Sequence, residues 1–475
     1  MAFFFLCVAM LIAGYFIYGS FVDRIFAPDG NRQTPAYSMR DDVDYTPMPK
    51  WKLIFIQVLD IAGIGPIFGP ILGALYGPIA LIWVVIGCIF GGAVHDYFSG
   101  MLSVRNKGAS IPEVVGDQLG MSARQIMRVF SFVLLMLVGV VFVLAPAKLI
   151  HNIFGFDKNI LVMCIFAYYF IATILPIDKV IGRIYPLLGG LLLTMTVALV
   201  VALLASDHAI LPNLDFATNT NPKDLPVWPL LFVTLSCGAI SGFHSTQSPL
   251  MARCVKNEKE GRSVFYGAMI IEGIIGLIWC TIGLSFYESA DALQAVIAAG
   301  SPAAVVTEVA NSLLGSSIGG PLAIAAVIIL PITSGDTAFR STRLIVAETF
   351  KVDQSKAVKR LAIAVPLFVI GYFISTQSFG TIWRYFGFSN QCLSTLVLWS
   401  AAVYLATRAK LHWIASIPAT FMTGVVTTYI YNAKIGFGLD YNTAVYMGIA
   451  SAAVVLIAFM LKFVIGNKTA ADTIA

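Results

Sequence analysis

The chain is 475 residues long, 58% hydrophobic and only 12% charged, with a formal net charge of +5 and a mean hydropathy of +0.85. A soluble domain is nearer a quarter charged, so the composition excludes a fold around one aqueous core and places most of the chain in lipid. So small a net charge points to no nucleic-acid partner; the information lies in where Lys and Arg fall. The seven cysteines show no CxxC or metal-type spacing and sit mostly in apolar runs. They read as small core residues, not as a disulfide framework.

The first apolar run, about residues 2–22, has no basic leader and no clear cleavage site, and it is long enough to span. It reads as a retained helix rather than a cleaved signal. A loop rich in Pro and Asp follows, about 23–51. The second run, 52–75, contains Ile61–Gly73, IAGIGPIFGPILG, in which Gly63, Gly65, Pro66, Gly69, Pro70 and Gly73 crowd thirteen residues. The prolines lack an N–H and clash with the preceding turn, and each glycine costs about 1 kcal/mol against Ala. Backbone freed in this way cannot face lipid, so a span broken at its middle predicts a binding site for an ion or small polar solute. The plainer alternative is a packing kink.

Further spans are predicted at about 78–103, 126–147, 159–175, 184–205, 226–246, 264–287, 318–337, 360–376, 390–407, 412–431 and 443–466, making thirteen. The loop 288–317 carries apolar helical patterns around Leu293–Ala299 and Val305–Leu314, expected as short helices over an external vestibule. With the N-terminus outside, 25 of the 30 Lys and Arg residues fall on the cytoplasmic side, Lys179, Arg183 and Lys468 among them. Lys148, Lys158, Lys223, Arg384 and Lys434 fall outside. That asymmetry fixes the orientation, with the C-terminus in the cytoplasm.

The seventh span carries a second interruption, Cys237 to Pro249, including Ser241, Gly242, His244, Ser245 and Gln247. Leaving the first span aside, the two breaks fall in core helices 1 and 6. Five spans separate the two starts, and an odd number gives the halves opposite topology. The pattern looks like the five-plus-five inverted repeat of LeuT-type transporters. The expected divisions are an N-terminal helix and loop (1–50), a first repeat (51–206), a second repeat (226–407) and two C-terminal helices (408–475).

GAVHDYF (91–97), SVRNKGASIPEVVG (103–116), SGFHSTQSPLMARCVKNEKEGR (241–262), SGDTAFRSTRLIVAE (334–347) and RYFGFSNQ (384–391) resemble the carbon starvation protein A (CstA) family. The resemblance runs from roughly residue 45 to 430. It implies a carrier of the bacterial inner membrane linked to peptide uptake, with a relative that imports pyruvate with protons. The site residues rest on chemistry, since the resemblance assigns none.

Asp336 follows Thr333 and Ser334 late in the ninth span, which faces the first break in a LeuT-type arrangement. Their hydroxyls, with freed carbonyls near Ala62 and Gly63, make an oxygen cage suited to Na⁺. Asp336 can complete the cage, carry a proton, or pair with Arg340 four residues on. His244, with Ser241, Ser245 and Gln247, suits a carboxylate cargo, or else bonds freed backbone. A metal role for His244 is not indicated, because no second ligand lies at ligand spacing. Glu272, alone in MIIEGIIG, is a proton-relay candidate or the partner of a buried cation. Asp60 stands three residues before the first break and can hold its N–H groups or the cation. His95 and Asp96 read most simply as a solvated helix end paired with Arg105.

The expected function is a cation-coupled symporter of a short peptide or small organic acid such as pyruvate, with Na⁺ or H⁺ as coupling ion and no other cofactor. A membrane-embedded enzyme is the rival, against which stand the missing HExxH and GxSxG motifs. A stress sensor is the third reading, but it lacks a cytoplasmic output domain. The sequence leaves the oligomeric state open.

Overall fold

The computed structural model describes residues 1–174, 177–317, 319–377 and 379–466, and every regular element among them is a helix. Each predicted span coincides with a helix or a broken helix. In chain order they are α1 (Ala2–Phe26), α2 (Lys50–Ala62), α3 (Gly65–Ala74), α4 (Ile79–Arg105), α5 (Ile111–Leu119), α6 (Met121–Phe154), α7 (Lys158–Ile174), α8 (Ile177–Ala205) and α9 (Val227–Thr234). Then come α10 (Gly242–Ala252), α11 (Glu258–Ser285), α12 (Ala290–Gly300), α13 (Pro302–Leu314), α14 (Gly319–Thr349), α15 (Ala357–Ser375), α16 (Phe379–Ala406), α17 (Trp413–Asn432) and α18 (Tyr441–Ile465). Among the described residues, eight helices are long and apolar enough to cross a bilayer unaided. The other core spans are broken or short, carry buried charge as α14 does, or carry buried polar residues as α16 does at Asn390 and Gln391. Lys468 and the side chains of Lys179, Arg183 and Arg384 lie outside the described residues.

Two helix pairs are sharply bent, besides the break between α9 and α10, and the first of them lies where Gly and Pro predict it. The pair α2 and α3 is bent by 48° and stands in for one span, while α12 and α13 fold over at 112°. The latter are the short helices expected in the 288–317 loop. α14 is longer than the predicted 318–337, because its charged C-terminal turns find partners and stay helical past the apolar stretch. Hydropathy registers the stretch but not the partners.

The helices pack as two interlocked sets. α14 lies along α6 and touches α2, α3 packs on α11, and α10 packs on α4 and α16. α17 and α18 pair with each other, and α17 leans on α16. The two broken helices therefore sit in the interior, each walled by unbroken neighbours.

Candidate functional site

The first break is two residues long. Gly63 adopts φ +47°, a conformation L side chains rarely take, and Ile64 precedes the first turn of α3. Leu59 O, which the break robs of its helical partner, accepts from the Ser334 hydroxyl at 2.9 Å. The carbonyl met by α14 is thus one turn before the predicted Ala62 and Gly63. Thr333 turns its own hydroxyl back to Leu330 O at 2.8 Å, so it contributes its carbonyl instead, 2.7 Å from the Tyr185 hydroxyl. That hydroxyl also lies 3.3 Å from Asp336 Oδ2. Both oxygens of Asp60 and Oδ1 of Asp336 are buried without a hydrogen-bond partner among the described residues. Thr337 stands beside Asp60 but donates its hydroxyl to Ser334 O at 3.0 Å. Two carboxyl groups held in this way need a cation or protons to remain buried.

The second break is longer and lies earlier than the polar run suggested. Residues 235–241 leave the helix, whereas His244, Ser245 and Gln247 belong to α10, which begins at Gly242 and runs through Pro249. Here the freed backbone is held by side chains. Trp83 Nε1 donates to Leu235 O at 3.0 Å, and Gly238 N–H donates to Glu272 Oε1 at 3.2 Å. Gln391 donates to Phe232 O at 3.0 Å and reaches Ile240 O at 3.5 Å. Asn390 Oδ1 accepts from the Ser241 hydroxyl at 3.1 Å and from Phe243 N–H at 2.6 Å, so it caps α10 from α16. Ser245 spends its hydroxyl on Gly242 O at 2.6 Å, while Gln247 keeps Oε1 buried and unpartnered.

A buried charge cluster runs behind this break. His244 Nδ1 lies 3.0 Å from Asp96 Oδ2, and His95 Nδ1 lies 2.8 Å from Asp96 Oδ1. His244 Nε2 is 3.2 Å from Glu272 Oε2, close enough for an ion pair but not aligned as a hydrogen bond. This overturns the reading of His95 and Asp96 as a solvated end. Both are fully buried, and Arg105 instead pairs with Glu258 at 3.1 Å and lies over the Phe26 ring. The sequence-spacing objection to a ligand set at His244 also falls, since Cys237 and Glu272 stand beside it in space.

The two breaks meet. A Cβ on Gly65 would come within 2.3 Å of Cys237 Sγ, so only a glycine lets the first break close against the second. From one end of the protein a cavity of about 250 Å³, lined by residues including Tyr76, Asn221, Lys223, Ser236 and Phe386, reaches the second break. The opposite end is shut by the loop before α2. Asp44, 2% exposed, takes Arg340 and Arg343 of α14 at 3.2 Å each. Arg253 at the end of α10 pairs with Glu348 at 2.7 Å and donates to Gly108 O at 2.8 Å. Burial alone would raise the Asp44 carboxyl, but Arg343, Arg340 and Arg253 hold it down at about 2. Its contribution is therefore complete above the ordinary value of 3.8 and lost only as the pH falls toward 2.

Two broken helices facing each other inside a bundle of spans define a secondary active transporter, in which cargo and driving ion share a midplane site. Solved structures of the same fold include Mhp1, a nucleobase-cation-symport-1 family transporter (TM-score 0.55, 14% identity, covering 86% of this chain and 92% of that one). Another is a Na⁺-coupled sialic acid symporter (TM-score 0.51, 15% identity, 96% and 98% covered). A sequence profile of the family "Carbon starvation protein CstA" matches residues 1–153, 141–318 and 290–429, and the chain belongs to that family. It is 49% identical over 352 residues to an uncharacterized membrane protein of Haemophilus influenzae, covering 63% of this chain and 95% of that protein. To the peptide transporter CstA of Escherichia coli it is 25% identical over 573 residues, covering 90% and 81%. To the pyruvate/proton symporter BtsT of the same organism it is 24% identical over 341 residues, covering 57% and 47%. The relatives named for an activity and these structural neighbours are transporters.

Proposed function

We propose that the chain imports a short peptide or a small organic acid such as pyruvate together with a monovalent cation, Na⁺ or H⁺, by alternating access. The observation that carries this reading is the contact of the two breaks at Gly65 and Cys237. It packs the first break directly against the second, so a cation at one and a cargo at the other are held by adjoining stretches of chain. The unpartnered oxygens of Asp60 and Asp336, next to Ser334, are the place for the cation. The second break at the floor of the cavity lined by Lys223 and Ser236 is the place for the carboxylate of the cargo, while His244 Nδ1 and the Ser241 and Ser245 hydroxyls are spent on the protein's own groups and stiffen the break from behind. The two relatives named for peptide and for pyruvate transport support this cargo range.

The asymmetry of Lys and Arg supports an N-terminus outside the inner membrane and a C-terminus in the cytoplasm. In that orientation the cavity at Ser236 opens outward, and the Asp44 clamp closes the cytoplasmic side. The repeats run 51–206 and 226–407, flanked by the N-terminal helix and loop (1–50) and the C-terminal helices (408–475). The test is uptake into proteoliposomes of pyruvate, related acids and di- and tripeptides under separate Na⁺ and H⁺ gradients. Concentrative uptake of one cargo class under one gradient is the expected result. Equal, non-concentrative entry under every condition would show a channel and reject the proposal.

A further inference from the structure

Cys237 comes from the unwound stretch, His244 from the first turn of α10 and Glu272 from the middle of α11, yet their donor atoms all lie within 4.8 Å of one another. A thiol, an imidazole and a carboxylate together are a ligand set for a borderline-soft divalent ion such as Zn²⁺ or Co²⁺. Such an ion, with bonds of about 2.0–2.3 Å, holds its ligands roughly 3.3–3.8 Å apart. His244 Nε2 and Glu272 Oε2 already stand at 3.2 Å. The sulfur has to close by about 1 Å at most to complete a tetrahedral corner.

The supporting shell is also in place. Asp96 occupies His244 Nδ1 at 3.0 Å and is itself held by His95 at 2.8 Å, which leaves Nε2 as the nitrogen facing Glu272. A carboxylate behind an imidazole is the usual device for fixing a metal-binding ring. The other oxygen of Glu272 is tied to Gly238 N–H at 3.2 Å. His244 Nε2 and Glu272 Oε2 are left fully buried with no hydrogen-bond partner among the described residues. Buried polar atoms seldom go unpaired, and a shared ion satisfies both at once.

We propose that the second break contains a site for one borderline-soft divalent metal ion, held by Cys237, His244 and Glu272. The site goes beyond the transport reading and needs neither cargo nor gradient. A bound ion pins the unwound stretch to α10 and α11, beside the point where Gly65 makes contact.

The test titrates the purified full-length protein with Co²⁺ alone. The expected result is saturation at one equivalent, with a thiolate-to-cobalt charge-transfer band in the near ultraviolet that Zn²⁺ bleaches. Cys164→Ser, which removes an exposed thiol far from the cluster, keeps the band. Cys237→Ser loses it, and Glu272→Gln weakens binding about tenfold or more. X-ray absorption of the zinc-loaded natural protein, which requires no variant, is expected to show one sulfur among nitrogen and oxygen neighbours. A natural protein with no saturable band, a band that survives Cys237→Ser, or a zinc shell without sulfur would each overturn the proposal.

Discussion

The two breaks solve the same problem in opposite ways. In the second, seven residues leave the helix, and Trp83, Glu272, Asn390 and Gln391 take up freed backbone groups from three surrounding helices. In the first, only Gly63 and Ile64 leave it, Ser334 takes one carbonyl, and three carboxylate oxygens of Asp60 and Asp336 have no hydrogen-bond partner among the described residues. A fully buttressed break is a rigid frame, suited to presenting fixed donors to a cargo. An acid pair shared by two packed helices attracts positive charge, and its electrostatics would change if those helices separated. Under the proposed function, the difference suits one break to recognition and the other to coupling.

The harshest way to break that comparison is to push the two apart. Gly65→Leu drives a side chain into Cys237 and is expected to abolish uptake while the protein still reaches the membrane, as read by transport and by size-exclusion profile. A fully active variant would remove the contact from the mechanism. Next comes Asp336→Asn, expected to abolish accumulation against a gradient. Because it discharges a buried carboxyl group without a full set of partners, its melting temperature should stay level or rise. Normal accumulation would take Asp336 out of the coupling site.

Asn390→Ala should behave in the reverse sense. It strips the cap of α10 and leaves the Phe243 N–H unpaired, at a cost of about 1–3 kcal/mol, so melting falls whichever ion drives transport. An unchanged melting curve would show that the second break is not held from α16. The smallest effect is expected for His244→Ala, a several-fold rise in the apparent KM for cargo. If KM does not move, the stiffening that the imidazole gives the break does not reach the cargo.

Much of this is legible in the sequence where Gly and Pro crowd together, although packing keeps Gly69, Pro70 and Gly73 inside α3 and Pro249 inside α10. Gly63, Gly65 and Pro66 lie at the first break, as their spacing predicts. The second break shifted toward Leu235, since a polar run such as SGFHSTQSP remains helical once buried neighbours satisfy it. The sequence misplaces His95 and Asp96 because they pair with each other and with His244, which is remote in sequence, whereas Arg105 is close. Asn390 and Gln391 left a trace that can be read as polar residues opening an apolar run. Asp44 left none: in a loop rich in acids, nothing marks the one that reaches Arg340 and Arg343, 296 and 299 residues away.

That reach gives the leading segment of the chain a mechanical part. A carboxylate in the loop before α2 ties down the C-terminal half of α14, so parting α14 from that loop has to break two ion pairs. Shortening residues 27–49 would remove that carboxylate and leave Arg340 with Ala172 O and Arg343 with Gln354, but without the counter-charge this loop supplies. Trimming the loop for expression is therefore expected to loosen that tie, seen as a lower melting temperature.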